Sequence, residues 1–263
     1  MPYTNQSHTL PADWRTFWRA NRWFFSGFGF FLIAGAIALF LIPQGDEVLW
    51  FSDRRTPAWD VFFTYFTMAG EEYGFLVVAL LLVGVRYRSA IAIPVLGIVV
   101  TLVTAFAKNL FRHPRPVAWF EARDLGDTLT FVEGVRVNVS QISSFPSGHT
   151  MAGFALFAFL AFVLPRRRWV GLGLLLVAFL IGLSRIYLVQ HFLKDIYLGA
   201  ILGVACAVAV YFLHLLPGTK SGKQWWDRRI HGVKPRPSRF ARTVASKRSV
   251  TSSYWTGALR ARR

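Results

Sequence analysis

The chain has 263 residues, of which 54% are apolar and only 16% are charged. An ordinary soluble domain carries about 25% charged residues, so this composition excludes a typical water-soluble or disordered chain. The net charge is +17, and its meaning depends on where along the chain the charges lie. The single cysteine, Cys206, excludes an intrachain disulfide framework.

Long apolar runs predict membrane-spanning helices. The first, Trp23–Ile42, has twenty residues without a charge, enough to cross a hydrocarbon core as a helix. The second, Tyr73–Val85, spans only if its helix begins near Val61 and carries Glu71 and Glu72 near the interface or facing a cavity. The later runs are Ala90–Ala107, Thr150–Leu164, Trp169–Leu183 and Ile196–Leu216. The sequence therefore predicts an all-α polytopic membrane bundle with six transmembrane helices.

The same pattern divides the chain into three parts. Residues 1–22 form a cytoplasmic segment in which Trp14, Phe17 and Trp18 recur at helical spacing, as in a short helix lying in the interface. Residues 23–216 form the six-helix domain. Residues 217–263 are basic and lack a sustained apolar period, which predicts a disordered tail near anionic headgroups.

The basic residues indicate how the bundle is oriented. Six spans place both termini and the loops after spans two and four on one side, and most Lys and Arg fall there, including thirteen in the tail. The positive-inside rule makes that side cytoplasmic. The net charge thus reflects topology, and we expect no nucleic acid partner. Nucleic acid binding by the tail is the alternative, and it would be strongly dependent on salt.

Three polar clusters fall at the opposite ends of the spans, where polar groups are costly in lipid and indicate function. KNLFRHPRP covers Lys108–Pro116, FPSGHT covers Phe145–Thr150, and SRIYLVQHFLKD covers Ser184–Asp195. Lys108, Arg115 and Arg185 are cations suited to phosphate oxygens.

The second cluster predicts an anion site at the start of a helix. Pro146 is expected at the first helical position, and Gly148 permits close approach of backbone amides to an anion. Ser147 adds a hydroxyl and His149 adds an imidazole at the same place.

The third cluster predicts an oriented nucleophile. His191 and Asp195 lie four residues apart, so a helical turn places them on one face, where the carboxylate can fix the ring tautomer. Two metal ligands are the alternative, but no HExxH-type pattern or further carboxylate at ligand spacing lies nearby. We expect no metal and no cofactor.

Together the three clusters resemble the type 2 phosphatidic acid phosphatase superfamily, in its bacterial membrane-integral branch. Its pattern is K-x6-RP, then PSGH, then SR-x5-H-x3-D, and this chain has each part with the spacing intact. Many relatives carry a proline between the last His and Asp, where this chain has Phe192-Leu193-Lys194. The departure touches no functional position but makes Lys194 an unusual nearby charge.

The resemblance implies a role for each residue. His191 attacks phosphorus and forms a phosphohistidine, Asp195 orients it, and His149 protonates the leaving oxygen and then activates water. The phosphoryl oxygens are held by a set of donors: Lys108, Arg115, Ser147, Gly148 and Arg185.

The expected function is therefore hydrolysis of a lipid phosphomonoester or pyrophosphate at the outer, periplasmic face of a bacterial inner membrane. Candidate substrates are undecaprenyl pyrophosphate, phosphatidylglycerol phosphate, phosphatidic acid and a lipid A phosphate. A lipid phosphotransferase with the same nucleophile and a non-enzymatic anion-binding membrane protein are the alternatives. Gly199-x3-Gly203 predicts close helix packing, favoured within the bundle over packing between subunits, and the oligomeric state is left open.

Overall fold

The structure, a computed structural model, describes residues 13–84, 87–140, 143–164 and 168–215. Helix accounts for 78% of the described residues, and none of them forms a strand. They all belong to one unit, Met1–Arg229, whereas a second unit, Ile230–Arg263, lies outside the described residues. The predicted disordered tail, residues 217–263, also lies outside them.

Ten α-helices follow one another in the described ranges. They are α1 (Trp14–Ala20), α2 (Arg22–Leu41), α3 (Asp46–Ser52), α4 (Pro57–Phe66), α5 (Glu72–Val83), α6 (Tyr87–Phe111), α7 (Pro116–Glu121), α8 (Gly148–Val163), α9 (Arg168–Tyr187) and α10 (Leu193–Leu215). A 3-10 turn, Thr67–Gly70, joins α4 to α5, and a second one covers Gly126–Thr128.

The long apolar helices make this an integral membrane protein. Four stretches are long and apolar enough to cross a membrane: Arg22–Leu41, Tyr87–Glu121, Arg168–Tyr187 and Leu193–Leu215. A fifth span results if Pro57–Gly70 and Glu72–Val83, bent by 59°, count as one. Helix α8 is apolar but has only 16 residues. Each of the six predicted spans thus corresponds to a helix or helix pair, while length and composition support four or five crossings.

Several helices extend beyond the apolar runs that predicted them. Helix α6 continues past Ala107 to Phe111, and α9 continues past Leu183 to Tyr187. Helix α10 begins at Leu193, before the predicted Ile196. An apolar run stops at the first polar residue, but the helical hydrogen bonds do not. The consequence is that Lys108, Arg185 and Asp195 lie on the terminal turns of helices.

Helix α8 forms the centre of the bundle. Eleven of its sixteen residues are buried, and Met151, Gly153, Phe154 and Leu156 among them lie on different faces. The helix is therefore covered on every side, which explains why it is apolar all round. Gly199 and Gly203 of α10 face its backbone: a Cβ added at Gly203 would lie 2.4 Å from the Met151 carbonyl oxygen. The small-residue pair therefore packs within the bundle, and that prediction is confirmed.

The outward surface of the bundle is apolar. Large side chains on α2, α5 and α6 are exposed, and they include Phe30, Phe40, Leu80, Leu102 and Phe106. Such a continuous apolar surface is unstable in water and is expected on a helix bundle that faces lipid.

The N-terminal segment forms the predicted short helix, α1, at the end of the bundle opposite the polar clusters. Phe17 is buried, with its ring centroid 4.7 Å from that of Tyr211 and 5.0 Å from that of Phe162. Trp14 and Trp18 remain exposed. One face of α1 therefore packs on the bundle, and its tryptophans are free to lie in the interface, where this side chain is favoured.

Candidate active site

The three polar clusters meet at one end of the bundle. Helices α6 and α9 end there, while α8 and α10 begin there, because neighbouring helices run in opposite directions. A cavity of about 520 Å³ at this end is lined by residues from all three clusters: Lys108, Arg115, Gly148, His149, Arg185 and His191. Residues 136–139, which lie in the loop between α7 and α8, belong to the same lining, so part of this loop lies beside the site.

His191 and Asp195 form a buried pair. The His191 ring is 1% exposed and Asp195 is fully buried. Nδ1 of His191 donates to Oδ2 of Asp195 over 3.2 Å, and the backbone amide of Phe192 donates to the same oxygen over 3.0 Å. The carboxylate thus fixes the tautomer that leaves the Nε2 lone pair unprotonated.

The two residues meet without sharing a helix. Helix α10 begins at Leu193, two residues after His191. The turn before it is tight: Val189 has a positive φ of 55°, and the amides of Gln190 and His191 both donate to the Arg185 carbonyl, over 2.9 and 3.1 Å. The predicted contact is present, but the turn before the helix and the first turn of α10 create it together.

Burial controls the protonation of His191. It lowers the pKa of the imidazole from 6.5 to about 4, while the hydrogen bond to Asp195 acts in the opposite direction. At neutral pH the ring is therefore uncharged, as a nitrogen nucleophile must be.

The two arginines are held by different parts of the fold. Arg115 donates through Nη1 to the Gln190 carbonyl over 3.2 Å and through Nε to the Ser143 hydroxyl over 3.2 Å. Arg185 donates through Nη1 to the Thr67 hydroxyl over 2.9 Å. Within the described part of the chain its Nε is buried and has no hydrogen-bond partner. Arg185 also lines the cavity.

The start of α8 differs from the prediction in one respect. The first helical residue is Gly148, and Ser147 is the N-cap, so Pro146 precedes the cap instead of occupying the first helical position. The Ser147 hydroxyl is buried and accepts from the Thr150 hydroxyl over 2.9 Å. Gly148 lines the cavity. Ser147 therefore acts as the N-cap that orders the first turn of α8, and its hydroxyl is used in that cap.

His149 has a carboxylate partner that the motifs do not include. Its Nε2 lies 2.9 Å from Oε1 of Glu71, and both side chains are about one-third exposed, at 36% and 29%. The sequence signal for Glu71 was an acid within an apolar span, which indicated either an interface or a cavity. The structure places it at the site.

Other site contacts carried no sequence signal. Ser144 donates a hydrogen bond to Asp195, and Thr67 and Gln190 contact the arginines. Among the described residues, no three His, Cys, Asp or Glu side chains group as metal ligands.

A second cavity, of about 760 Å³, adjoins the first. It lies between α5, α6 and α8, and apolar side chains line most of it, including Phe75, Ile98, Leu102 and Ala152. Gly148 and His149 belong to the linings of both cavities. His149 therefore stands where a cationic pocket meets an apolar groove.

In this membrane helix bundle two imidazoles and three cations surround one cavity, and such groups can take part in phosphoryl transfer and stabilise its charge. The PAP2 superfamily model matches residues 88–216, and the chain belongs to this superfamily of phosphatases.

Two solved structures resemble the chain. One is the crystal structure of Aquifex aeolicus LpxE, with 26% identity, a TM-score of 0.54, and coverage of 64% of this chain and 94% of that one. The other is a transmembrane PAP2-type phosphatidylglycerolphosphate phosphatase from Bacillus subtilis, with 19% identity, a TM-score of 0.53, and coverage of 75% and 98%. The comparison with curated proteins found no match.

Proposed function

We propose that this phosphatase hydrolyses a lipid phosphomonoester or pyrophosphate through a phosphohistidine intermediate. The observation that carries the proposal is the position of His149 between the cationic cavity and the apolar groove. A lipid phosphate has three parts in a matching order: the phosphoryl group suits the cationic cavity, the bridging oxygen suits the position of His149, and the apolar tail suits the groove. With its phosphoryl group among the cations and its tail in the groove, the bridging oxygen lies beside His149.

In the first step, Nε2 of His191 attacks phosphorus and the bond to the bridging oxygen breaks. His149 gives its proton to the departing oxygen, so the lipid leaves as an alcohol, or as a phosphate when the substrate is a pyrophosphate. The phosphoryl group remains on His191. Asp195 stabilises the positive charge that develops on the ring.

In the second step, water is the nucleophile. His149, now neutral, takes a proton from the water as its oxygen attacks phosphorus. The phosphorus–nitrogen bond breaks, its electron pair returns to Nε2 of His191, and inorganic phosphate is released. Both imidazoles are then in their starting forms, with the proton from water on His149.

The cations stabilise the charge of the transferring group. Lys108, Arg115 and Arg185 face the cavity, and the Gly148 amide lies at the positive end of α8. Ser147 supports this arrangement as the N-cap. Phosphoryl transfer depends mainly on such positioning and charge stabilisation, and none of these steps is routed through a metal.

The proposed topology has six spans, with the bent pair α4–α5 and the short α8 counted as crossings. Arg15, Arg19 and Arg22 lie at the end of the bundle opposite the cavity, as Arg168 does at the start of α9. The positive-inside rule assigns that end to the cytoplasm. The site then faces outward, toward the periplasm of a bacterial inner membrane, and both termini are cytoplasmic.

A panel of purified lipid phosphates tests the proposal. Undecaprenyl pyrophosphate, phosphatidylglycerol phosphate, phosphatidic acid and a lipid A phosphate would be incubated with the detergent-solubilised protein, and free phosphate would be measured. We expect release from at least one of them. Absence of release from all four contradicts the proposal, and phosphate appearing on a second lipid instead of in water identifies a phosphotransferase.

A further inference from the structure

The second span is broken at the depth of the site, and the break carries a carboxylate. The 3-10 turn covers Thr67–Gly70, and α5 starts at Glu72 after a bend of 59°. Glu71 lies between them and caps both. Glu71 is 78 residues from His149 in sequence, yet its Oε1 lies 2.9 Å from Nε2 of that histidine.

The break is held against the site at three points. Thr67 accepts a hydrogen bond from Arg185 over 2.9 Å, and Glu71 contacts His149. Between them Gly70 packs tightly: a Cβ added there would lie 2.7 Å from Cγ2 of Ile181 and 3.1 Å from the His149 carbonyl oxygen. Only a residue without a side chain allows the turn to approach the α8 backbone so closely, so the position of the Glu71 carboxylate is fixed by packing.

We propose that Glu71 is a positioning residue for His149, as Asp195 is for His191. The inference rests on the acid–base role of His149 proposed above. The carboxylate accepts the Nε2 hydrogen, holds the ring at the junction of the two cavities, and stabilises the imidazolium present before the leaving oxygen is protonated. Nδ1 is then the nitrogen that gives its proton to that oxygen and later accepts one from water, while the Nε2 hydrogen stays with Glu71 throughout.

The partial exposure of this pair fits its task. The acid–base group must meet both the bridging oxygen of a lipid and an attacking water molecule, so it cannot be sealed in the protein as His191 is. A carboxylate at its far nitrogen supplies orientation without blocking that access.

The test compares variants of the full-length protein on two substrates, dioctanoyl phosphatidic acid and p-nitrophenyl phosphate. Nitrophenolate leaves without needing a proton, so kcat/KM for this ester does not depend on a general acid. We expect Glu71→Gln to lower kcat/KM for the lipid about 10- to 100-fold and to change kcat/KM for the aryl ester less than about threefold. Glu121→Gln, which removes the same kind of charge at an exposed position that lines neither cavity, is the matched control and should match the wild type.

A double-mutant cycle separates positioning from a purely structural role. If Glu71 acts through His149, then Glu71→Gln combined with His149→Ala should be no slower on the lipid than His149→Ala alone. Glu71→Asp, which keeps the charge, should retain more activity than Glu71→Gln. It also serves as the second variant if Glu71→Gln fails to fold, as judged by size-exclusion chromatography.

The outcomes are distinct. Full activity of Glu71→Gln with an impaired His149→Ala overturns the role of Glu71 and leaves the proposed function intact. Full activity of His149→Ala on the lipid instead refutes the acid–base assignment in the proposed function. Equal losses on both substrates, additive with His149→Ala, show that Glu71 only maintains the structure and also overturn the inference.

Discussion

The two histidine–carboxylate pairs of the site are built in opposite ways. His191 and Asp195 are four residues apart and fully enclosed. His149 lies on α8 and Glu71 in the break before α5, 78 residues apart, and each side chain is about one-third exposed. The enclosed pair has the features of a nucleophile, whose lone pair must be kept from protonation. The open pair has the features of an acid–base group, which exchanges protons with substrate and water. Under the proposed mechanism, an imidazole paired with a carboxylate thus serves two purposes according to its burial.

The largest difference in activity is expected between the alanine variants of the two histidines, His191 and His149. Removing the nucleophile in His191→Ala should lower phosphate release from lipid and from p-nitrophenyl phosphate at least about 10⁴-fold, because nothing else forms the covalent intermediate. His149→Ala should lower lipid turnover about 10²- to 10³-fold.

His113→Ala is the control for these two variants, because this histidine lines neither cavity. Its carbonyl accepts from the Ser144 amide and its ring packs edge-on against Phe145. Its activity should match that of the wild type. Retained turnover in His191→Ala contradicts the nucleophile assignment.

Changing the enclosed carboxylate should have the next largest effect. Asp195→Asn preserves the shape but favours the wrong tautomer of His191, so kcat should fall about 10²- to 10⁴-fold. This loss should exceed that of Glu71→Gln, because no water can replace a buried partner. Steady-state kinetics would measure both, with Lys194→Gln as the neighbouring control. If kcat fell less in Asp195→Asn than in Glu71→Gln, the enclosed carboxylate would matter less than the partly exposed one, which contradicts the prediction.

The pH profile should show that His191 is enclosed. Burial lowers its pKa to about 4, and the reaction needs the neutral ring, so the acidic loss of kcat/KM should occur as the pH falls through about 4. A histidine with an ordinary pKa of about 6.5 would be about nine-tenths protonated at pH 5.5 and would have lost activity about tenfold. Measuring kcat/KM from pH 4 to 8 distinguishes the two, and a loss of kcat/KM as the pH falls through about 6.5 contradicts the enclosure.

The smallest effect on catalysis is expected away from both pairs, in the packing of α10 on α8. Gly203→Ala places a methyl group 2.4 Å from the Met151 carbonyl oxygen, which should cost about 1–3 kcal/mol of stability. Thermal unfolding in detergent would measure the loss. Gly173→Ala is the control, because a Cβ added at Gly173 meets no atom within 4 Å. Equal stability of the two variants would show that α10 can move away from α8.

The contrast also explains what the sequence could predict. His191 and Asp195 lie within one short segment, so their spacing already predicted the contact, although a turn and not a helix makes it. The apolar runs located the long helices to within about four residues but not the short helices α3 and α7. Glu71 reaches His149 only through the break after Gly70 and the packing of that turn on Ile181, and local spacing carries no information about either. Ser144 and Thr67 were missed for the same reason: a hydroxyl has no distinctive pattern, and its partner is set by the tertiary fold.

The meeting of the cationic cavity and the apolar groove at His149 has a consequence for the two products. Under the proposed mechanism the dephosphorylated lipid is already positioned to slip sideways into the bilayer, while inorganic phosphate departs past the loop at residues 136–139. The dephosphorylated lipid thus enters the bilayer, and inorganic phosphate enters water. Recombination is thereby disfavoured by partition, and each turnover clears the site through two separate exits.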